Sequence, residues 1–246
     1  MIIVVLILAV IVLAYLLIEQ TGRFDNNDEA PLRPMFKTLL SQNQLDHITP
    51  AQVLARLKAG NQRFIDGALK DANYAKLIHA THLEQHPAAI VLSCIDSRVP
   101  PEIVFDQAIG NIFVSRVAGE VISPDIIAGM EYATAVTGSK LIVIMGHGNC
   151  GAVSAACKQV KLGNITSLLD KIQPAVTQAA QQMPGESCDN MKYVNQIAIN
   201  NVKNIVAEVP KQSPIIKNLM DKGQVEIIGA MYDIDAGSVE FFDPET

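Results

Sequence analysis

Three reactive side chains stand at alternate positions in the stretch SCIDSRV, residues 93–99: the Cys94 thiol, the Asp96 carboxylate and the Arg98 guanidinium. A second stretch, GHGNCG at 146–151, places the His147 imidazole three residues before the Cys150 thiol. Two thiolates, one imidazole and one oxygen form a donor set that suits zinc, which is tetrahedral, borderline-soft and without redox chemistry of its own. A structural zinc site usually closes with four Cys or His ligands, and here the count reaches three. A fourth position left to Asp96 or to water is the catalytic arrangement. Cys157 does not fill it, because seven residues along a helix from Cys150 displace it by about 10 Å; it reads as a packing cysteine. Cys188 sits far along the chain in the polar loop PGESCDN. Taken alone, Asp96 and Arg98 are equally compatible with a structural ion pair. A Cys94–Cys150 disulfide suits an exported domain, but it leaves His147, the glycines and the Asp–Arg pair without a purpose.

The elements that must carry these groups are readable from hydrophobic patterning. Residues 88–92 (AAIVL) and 141–145 (LIVIM) are short, uninterrupted apolar runs, and 112–114 and 225–231 are similar. Such runs suit strands of a parallel sheet covered on both faces. Helical stretches separate them, one opening at Ser123-Pro124 and another after Gly151. The order predicts an α/β fold, a central mostly parallel sheet flanked by helices. Both reactive stretches follow the end of a strand, the edge at which open α/β sheets bind ligands. Gly146, Gly148 and Gly151 are expected to give the His–Cys turn unusual backbone angles.

With 246 residues, 18% charged and a net charge of −6, the chain suits a packed domain and gives no basic surface for nucleic acid. The domain is expected over 49–246, where TPAQ offers Thr49 as an N-cap, Pro50 at the first helical position and Gln52 to close a capping box. Val53, Leu54, Leu57 and Phe64 then give that helix an apolar face. Residues 24–48 read as a polar tether. Residues 1–23 read as an N-terminal hydrophobic helix, because 2–18 carry no charge. That segment is either a membrane anchor or an export signal. The domain is thereby expected to be membrane-anchored or exported to a periplasm, with its side of the membrane open.

Together, SCIDSRVPPEIVFD, FVSRVAG, MEYATAV and GHGNCGAV resemble the β-class carbonic anhydrases over nearly the whole of the expected domain. The resemblance rests on C-x-D-x-R and H-x-x-C with Cys94 and His147 53 residues apart. It implies one zinc ion per chain held by Cys94, His147 and Cys150, with Asp96 and Arg98 as a catalytic dyad. In the open form Arg98 draws Asp96 off the metal; in the closed form Asp96 becomes the fourth ligand. It also implies a substrate pocket in which Gln85 binds bicarbonate. Phe113, Ala118 and Tyr132 wall the carbon dioxide, and Gly151 follows the last ligand. Because such pockets sit at a subunit interface, a homodimer or a dimer of dimers is implied.

The implied reaction is zinc-dependent, reversible hydration of carbon dioxide to bicarbonate and a proton. Zinc lowers the pKa of bound water from about 16 to about 7 and so supplies hydroxide at neutral pH. Two thiolate ligands make the zinc a poorer acid than histidines would, which predicts an activity limb above neutrality. Two departures stand out. Gly148 occupies a position where the family has serine or threonine, which removes a possible hydrogen bond near the metal. The chain also has no tryptophan, so the family's off-site bicarbonate pocket is not expected. Carbon disulfide or carbonyl sulfide as substrate, a closed zinc-binding module without catalysis, and a cysteine redox protein with a titratable disulfide and no metal are the rival readings.

Overall fold

The computed structural model describes residues 39–70 and 72–242; the expected hydrophobic segment and most of the expected tether lie outside them. Chain order gives α1 (Gln42–His47), α2 (Pro50–Ile65), α3 (Tyr74–Thr81), β1 (Ala89–Ser93), α4 (Pro101–Val104) and β2 (Ile112–Arg116). A short 3-10 turn, Ala118–Glu120, precedes α5 (Pro124–Glu131), which runs into a π-turn at Tyr132–Val136. Then follow β3 (Leu141–His147), α6 (Gly151–Cys157), α7 (Gly163–Asp170), α8 (Gln173–Gln182), α9 (Met191–Gln212), α10 (Pro214–Asp221), β4 (Glu226–Tyr232) and β5 (Val239–Phe241).

The strands form one sheet in the order β2-β1-β3-β4-β5. The first four are mutually parallel and β5 is antiparallel to β4, so the sheet is mixed with a mostly parallel centre. Alternation is visible only once burial is known. In β3, Leu141, Val143 and Met145 face one core, while Ile142 and Ile144 face another. Both faces are covered, which is why the sequence shows an apolar run with no period of two.

One face packs against Leu45 of α1, Val53 and Leu57 of α2, and Phe105 after α4. The opposite face packs against Ile127 and Met130 of α5, Val202, Ile205 and Val209 of α9, and Ile216 of α10. The capping box at α2 forms as expected: Gln52 N donates to Thr49 Oγ1 at 3.2 Å and Thr49 N to Gln52 Oε1 at 2.9 Å. The folded chain also includes α1, inside the stretch read as tether. Its Ser41 and Gln44 make a second capping box, and Leu45 is fully buried.

A third core lies beyond the carboxyl ends of β1 and β3. There α6 to α9 bring Val153, Ala156, Ile172, Ala175, Val194 and Ile197 around Cys94 and Cys150. Cys157 is not a packing cysteine. It ends α6 and is disulfide-bonded to Cys188, 31 residues on, with Cα atoms 5.8 Å apart. The chain leaves α6, runs through α7 and α8, and returns in the loop before α9, which places the polar PGESCDN segment against the end of α6. Sequence distance had hidden this proximity.

Candidate metal centre

Parallel pairing of β1 with β3 sets Ser93 level with Met145, so the residues that follow β1 and those that end β3 emerge at one sheet edge. There Cys94, His147 and Cys150 each offer one ligand atom, all within 4.8 Å of one another. The two sulfurs are 4.0 Å apart and unlinked. A tetrahedral metal with bonds of about 2.3 Å to sulfur spans an edge of about 3.8 Å, so the spacing fits zinc.

His147 supplies the clearest sign of a ligand. The residue is fully buried, and its Nδ1 donates to the Gly148 carbonyl oxygen at 2.8 Å. That bond fixes the tautomer and leaves Nε2 as the lone-pair atom. Among the described residues Nε2 has no hydrogen-bond partner, and a buried acceptor without one is costly. A metal ion completes it.

Protonation points the same way. Hydrogen bonding with Cys150 pulls the Cys94 thiol down to about 4, helped by the Gly119 backbone N–H. The same contact holds the Cys150 thiol above its ordinary range, with burial adding to it. The pair thus shares one proton, which a dication displaces. Glu120 lies nearby, 1% exposed, and burial pushes its carboxyl up to about 8.

The His–Cys turn is built differently from expectation. Gly146, Gly148 and Gly151 are not among the positive-φ residues of the chain; the left-handed residue of the turn is Asn149, at φ 54°. Gly146 is required by space instead, since a Cβ there would come within 2.7 Å of Val202 and 2.9 Å of the Met231 sulfur. Asn195 of α9 secures the turn, its Oδ1 accepting from Asn149 N at 3.0 Å. Cys150 then serves as the N-cap of α6, with Gly151 as the first helical residue.

Asp96 is held by Arg98 through three bonds. Nε and Nη2 of the guanidinium donate to its two oxygens at 2.9 and 2.8 Å, and the Arg98 backbone N donates at 3.0 Å. The guanidinium holds the Asp96 carboxyl well below the usual carboxylate range. Among the described residues, Asp96 is not in the ligand group. Arg116, at the end of β2, fixes the backbone beneath by donating to the carbonyls of Cys94 at 3.0 Å and Asp96 at 2.5 Å.

The remaining expected residues divide. Ala118 lies beside Gly119, whose backbone N donates to Cys94 Sγ at 3.4 Å, so it and Gly151 are at the metal edge. Phe113 and Tyr132 meet edge to face with ring centroids 6.1 Å apart. Phe113, however, is level with Ile90, four residues before Cys94 and thus about 13 Å down the strand. Gln85 lies further back, before β1 opens, in a cleft with Leu40, Thr81 and Gly110. Within one chain these three are not brought to the metal ligands. Sequence reading missed Arg116, Asn195, Glu120 and Asn201. The available signal was three asparagines, Asn195, Asn200 and Asn201, within the apolar pattern of α9.

The family model for carbonic anhydrase matches residues 89–239. Carbonic anhydrase 2 of Mycobacterium tuberculosis is 31% identical over 200 residues, covering 78% of this chain and 93% of that protein. Among solved structures, the β-carbonic anhydrase of Coccomyxa in complex with acetazolamide aligns with a TM-score of 0.61 at 27% identity. It covers 76% of this chain and 85% of that one. Two tetrameric β-carbonic anhydrases from Sordaria macrospora are represented by a match with a TM-score of 0.62 at 24% identity, covering 78% and 94%. The ligand group, the mixed sheet that presents it and these likenesses agree: the chain belongs to the carbonic anhydrase family, in its β class.

Proposed function

We propose that this carbonic anhydrase, whose reaction is hydration of carbon dioxide, uses Asp96 and Arg98 as the gate at the fourth position of its zinc. The observation that carries the reading is the three-bond hold of Arg98 on Asp96, beside three grouped ligands that do not include it. When bound, zinc supplies Lewis acidity that makes hydroxide available at neutral pH. Cys94, His147 through Nε2, and Cys150 would hold it. Arg98 keeps the Asp96 oxygens turned to itself, which leaves the fourth position free. Asp96, kept ionised by that contact, retains lone pairs that can accept a hydrogen bond from the reacting oxygen and so orient it.

Substrate binding is proposed to need a second copy of the chain. Gln85, Phe113 and Tyr132 share the β2 side of the molecule but stand apart from their own metal edge, and Tyr132 is 51% exposed. A dimer, or a dimer of dimers, would carry them to the metal of a neighbour; the Sordaria proteins are tetrameric. The Cys157–Cys188 disulfide supports an oxidising compartment, in keeping with an exported or membrane-anchored domain. Among the described residues no helix is long and apolar enough to cross a membrane.

The test is stopped-flow carbon dioxide hydration against pH on the full chain, with zinc content measured on the same sample. Activity rising from neutral to alkaline pH at one zinc per chain supports the gate in its open form. Full zinc with no activity at any pH would mean a closed, Asp96-ligated site and favour the binding-module reading. Turnover of carbon disulfide or carbonyl sulfide in preference to carbon dioxide would move the substrate.

A further inference from the structure

The 117–120 turn is unusual in its backbone and in what it touches. Gly119 and the non-glycine Glu120 are successive left-handed residues, at φ 65° and 41°. For an L side chain that conformation persists only where the surroundings impose it. Here they do. Val117 N donates to Ser93 O at 3.0 Å, continuing the β1–β2 ladder to the foot of Cys94. A Cβ on Gly119 would meet Ile172 at 2.7 Å, so the turn is pressed against the start of α8. The last restraint comes from α9. Asn201, 3% exposed, donates from Nδ2 to the Gly119 carbonyl at 3.0 Å and to Glu120 Oε1 at 3.2 Å. Among the described residues, Glu120 Oε2 has no partner, so Asn201 is the polar hold on that buried carboxyl.

The result of these restraints is one bond to the metal edge, from Gly119 N–H to Cys94 Sγ at 3.4 Å. A donor aimed at a thiolate ligand stabilises its charge and draws electron density away from the metal. Neither Asn201 nor Glu120 is in the ligand group. We propose that Asn201 and Glu120 are positioning residues of the metal centre: together they lock the 117–120 turn so that the Gly119 N–H caps the Cys94 sulfur. The inference rests on the zinc reading of Cys94, His147 and Cys150. It adds that the strength of the Cys94–metal bond is set in part from α9, by a residue that is not itself a ligand.

The direct test loads the 15N-labelled full chain with 113Cd, a spin-active substitute for zinc. The Gly119 amide proton is expected to show a scalar coupling to the metal across the N–H···S bond. Asn201→Leu, which removes the donor while keeping the volume, is expected to abolish that coupling. It should also weaken zinc in chelator competition by about 10- to 100-fold. Glu120→Ala should weaken it similarly, and Glu120→Gln, which keeps an acceptor for the Asn201 amide, should restore most of the loss. Rescue separates an acceptor role from mere packing.

If a variant fails to fold by circular dichroism, the wild-type coupling still decides. Cadmium held by two sulfurs without coupling to Gly119, or an Asn201→Leu affinity within twofold of wild type, overturns the proposal. Absence of any sulfur-bound cadmium in the wild type would instead overturn the zinc reading, and the proposal with it.

Discussion

The Cys94–Cys150 pair governs metal capture at this site, because it holds a proton that must leave. The Cys150 thiol is held above the ordinary range by the neighbouring Cys94 sulfur and by burial, while hydrogen bonding with Cys150 pulls the Cys94 thiol down to about 4. At neutral pH the metal-free pair therefore carries a proton that binding expels, and affinity rises with pH. Zinc affinity measured by chelator competition is expected to rise about tenfold per unit between pH 6 and 8. A flat profile would mean that both sulfurs are already ionised. Asp96 behaves oppositely. Arg98 depresses its pKa, so its charge, and the ion pair with it, is present above the usual carboxylate range. That charge is lost only as the pH falls through the lowered value. The dyad is thus fully charged from neutral to alkaline pH, and a rise in rate there does not come from Asp96. Arg98→Ala frees the carboxylate to move toward the metal. We expect a loss of turnover of about 100-fold with zinc still bound one per chain. Unchanged turnover would remove the gate from the mechanism, and loss of zinc would make Arg98 structural.

At the scale of elements, the disulfide joins the helix that follows Cys150 to the loop that opens α9. Closing a 31-residue separation constrains the unfolded chain by about 3.5 kcal/mol. For a domain of this size, Cys157→Ser with Cys188→Ser is expected to lower Tm by roughly 10 °C. Calorimetry under oxidising and reducing conditions checks it, since wild type under reductant should fall to the double variant. No difference would mean the bond does not form in solution. This element was illegible in the sequence because pairing depends on where α7 and α8 return the chain, and no local pattern encodes that return. The strands and the ligands were legible for the opposite reason. Burial on both faces forces apolar runs at 88–92 and 141–145, and chemistry fixes Cys94, His147 and Cys150 just beyond them. The three glycines of GHGNCG misled, because glycine marks both left-handed backbone and want of space. At Gly146 the cause is Val202 and Met231, which lie far off in sequence. Strand β5 and α9 escaped as well. The first is only three residues long, and the second interrupts its apolar face with the buried Asn200 and Asn201, whose partners lie on other elements.

At the scale of the whole molecule, the proposed pocket falls into two half-sites. The metal edge stands at the carboxyl ends of β1 and β3, and the Gln85, Phe113 and Tyr132 group lies back along the β2 side. If each pocket joins the metal edge of one copy to the wall of another, two differently disabled chains should repair each other. Cys150→Ser removes a metal ligand and leaves the wall intact, while Gln85→Ala removes a wall contact and leaves the ligands intact. Each variant alone has no complete pocket. Unfolded together in equal amounts and refolded with zinc, half of randomly paired dimers would be mixed. Each mixed dimer would hold one pocket with both defects and one with neither. Activity should therefore rise from near zero to roughly a quarter of wild type. If each chain builds its pocket alone, mixing gives only the average of the two variants, and the half-sites must then be joined by a movement within the chain. Recovery with Cys150→Ser but not with a doubly substituted Cys150→Ser, Gln85→Ala partner would assign the repaired wall to the copy that lacks the metal.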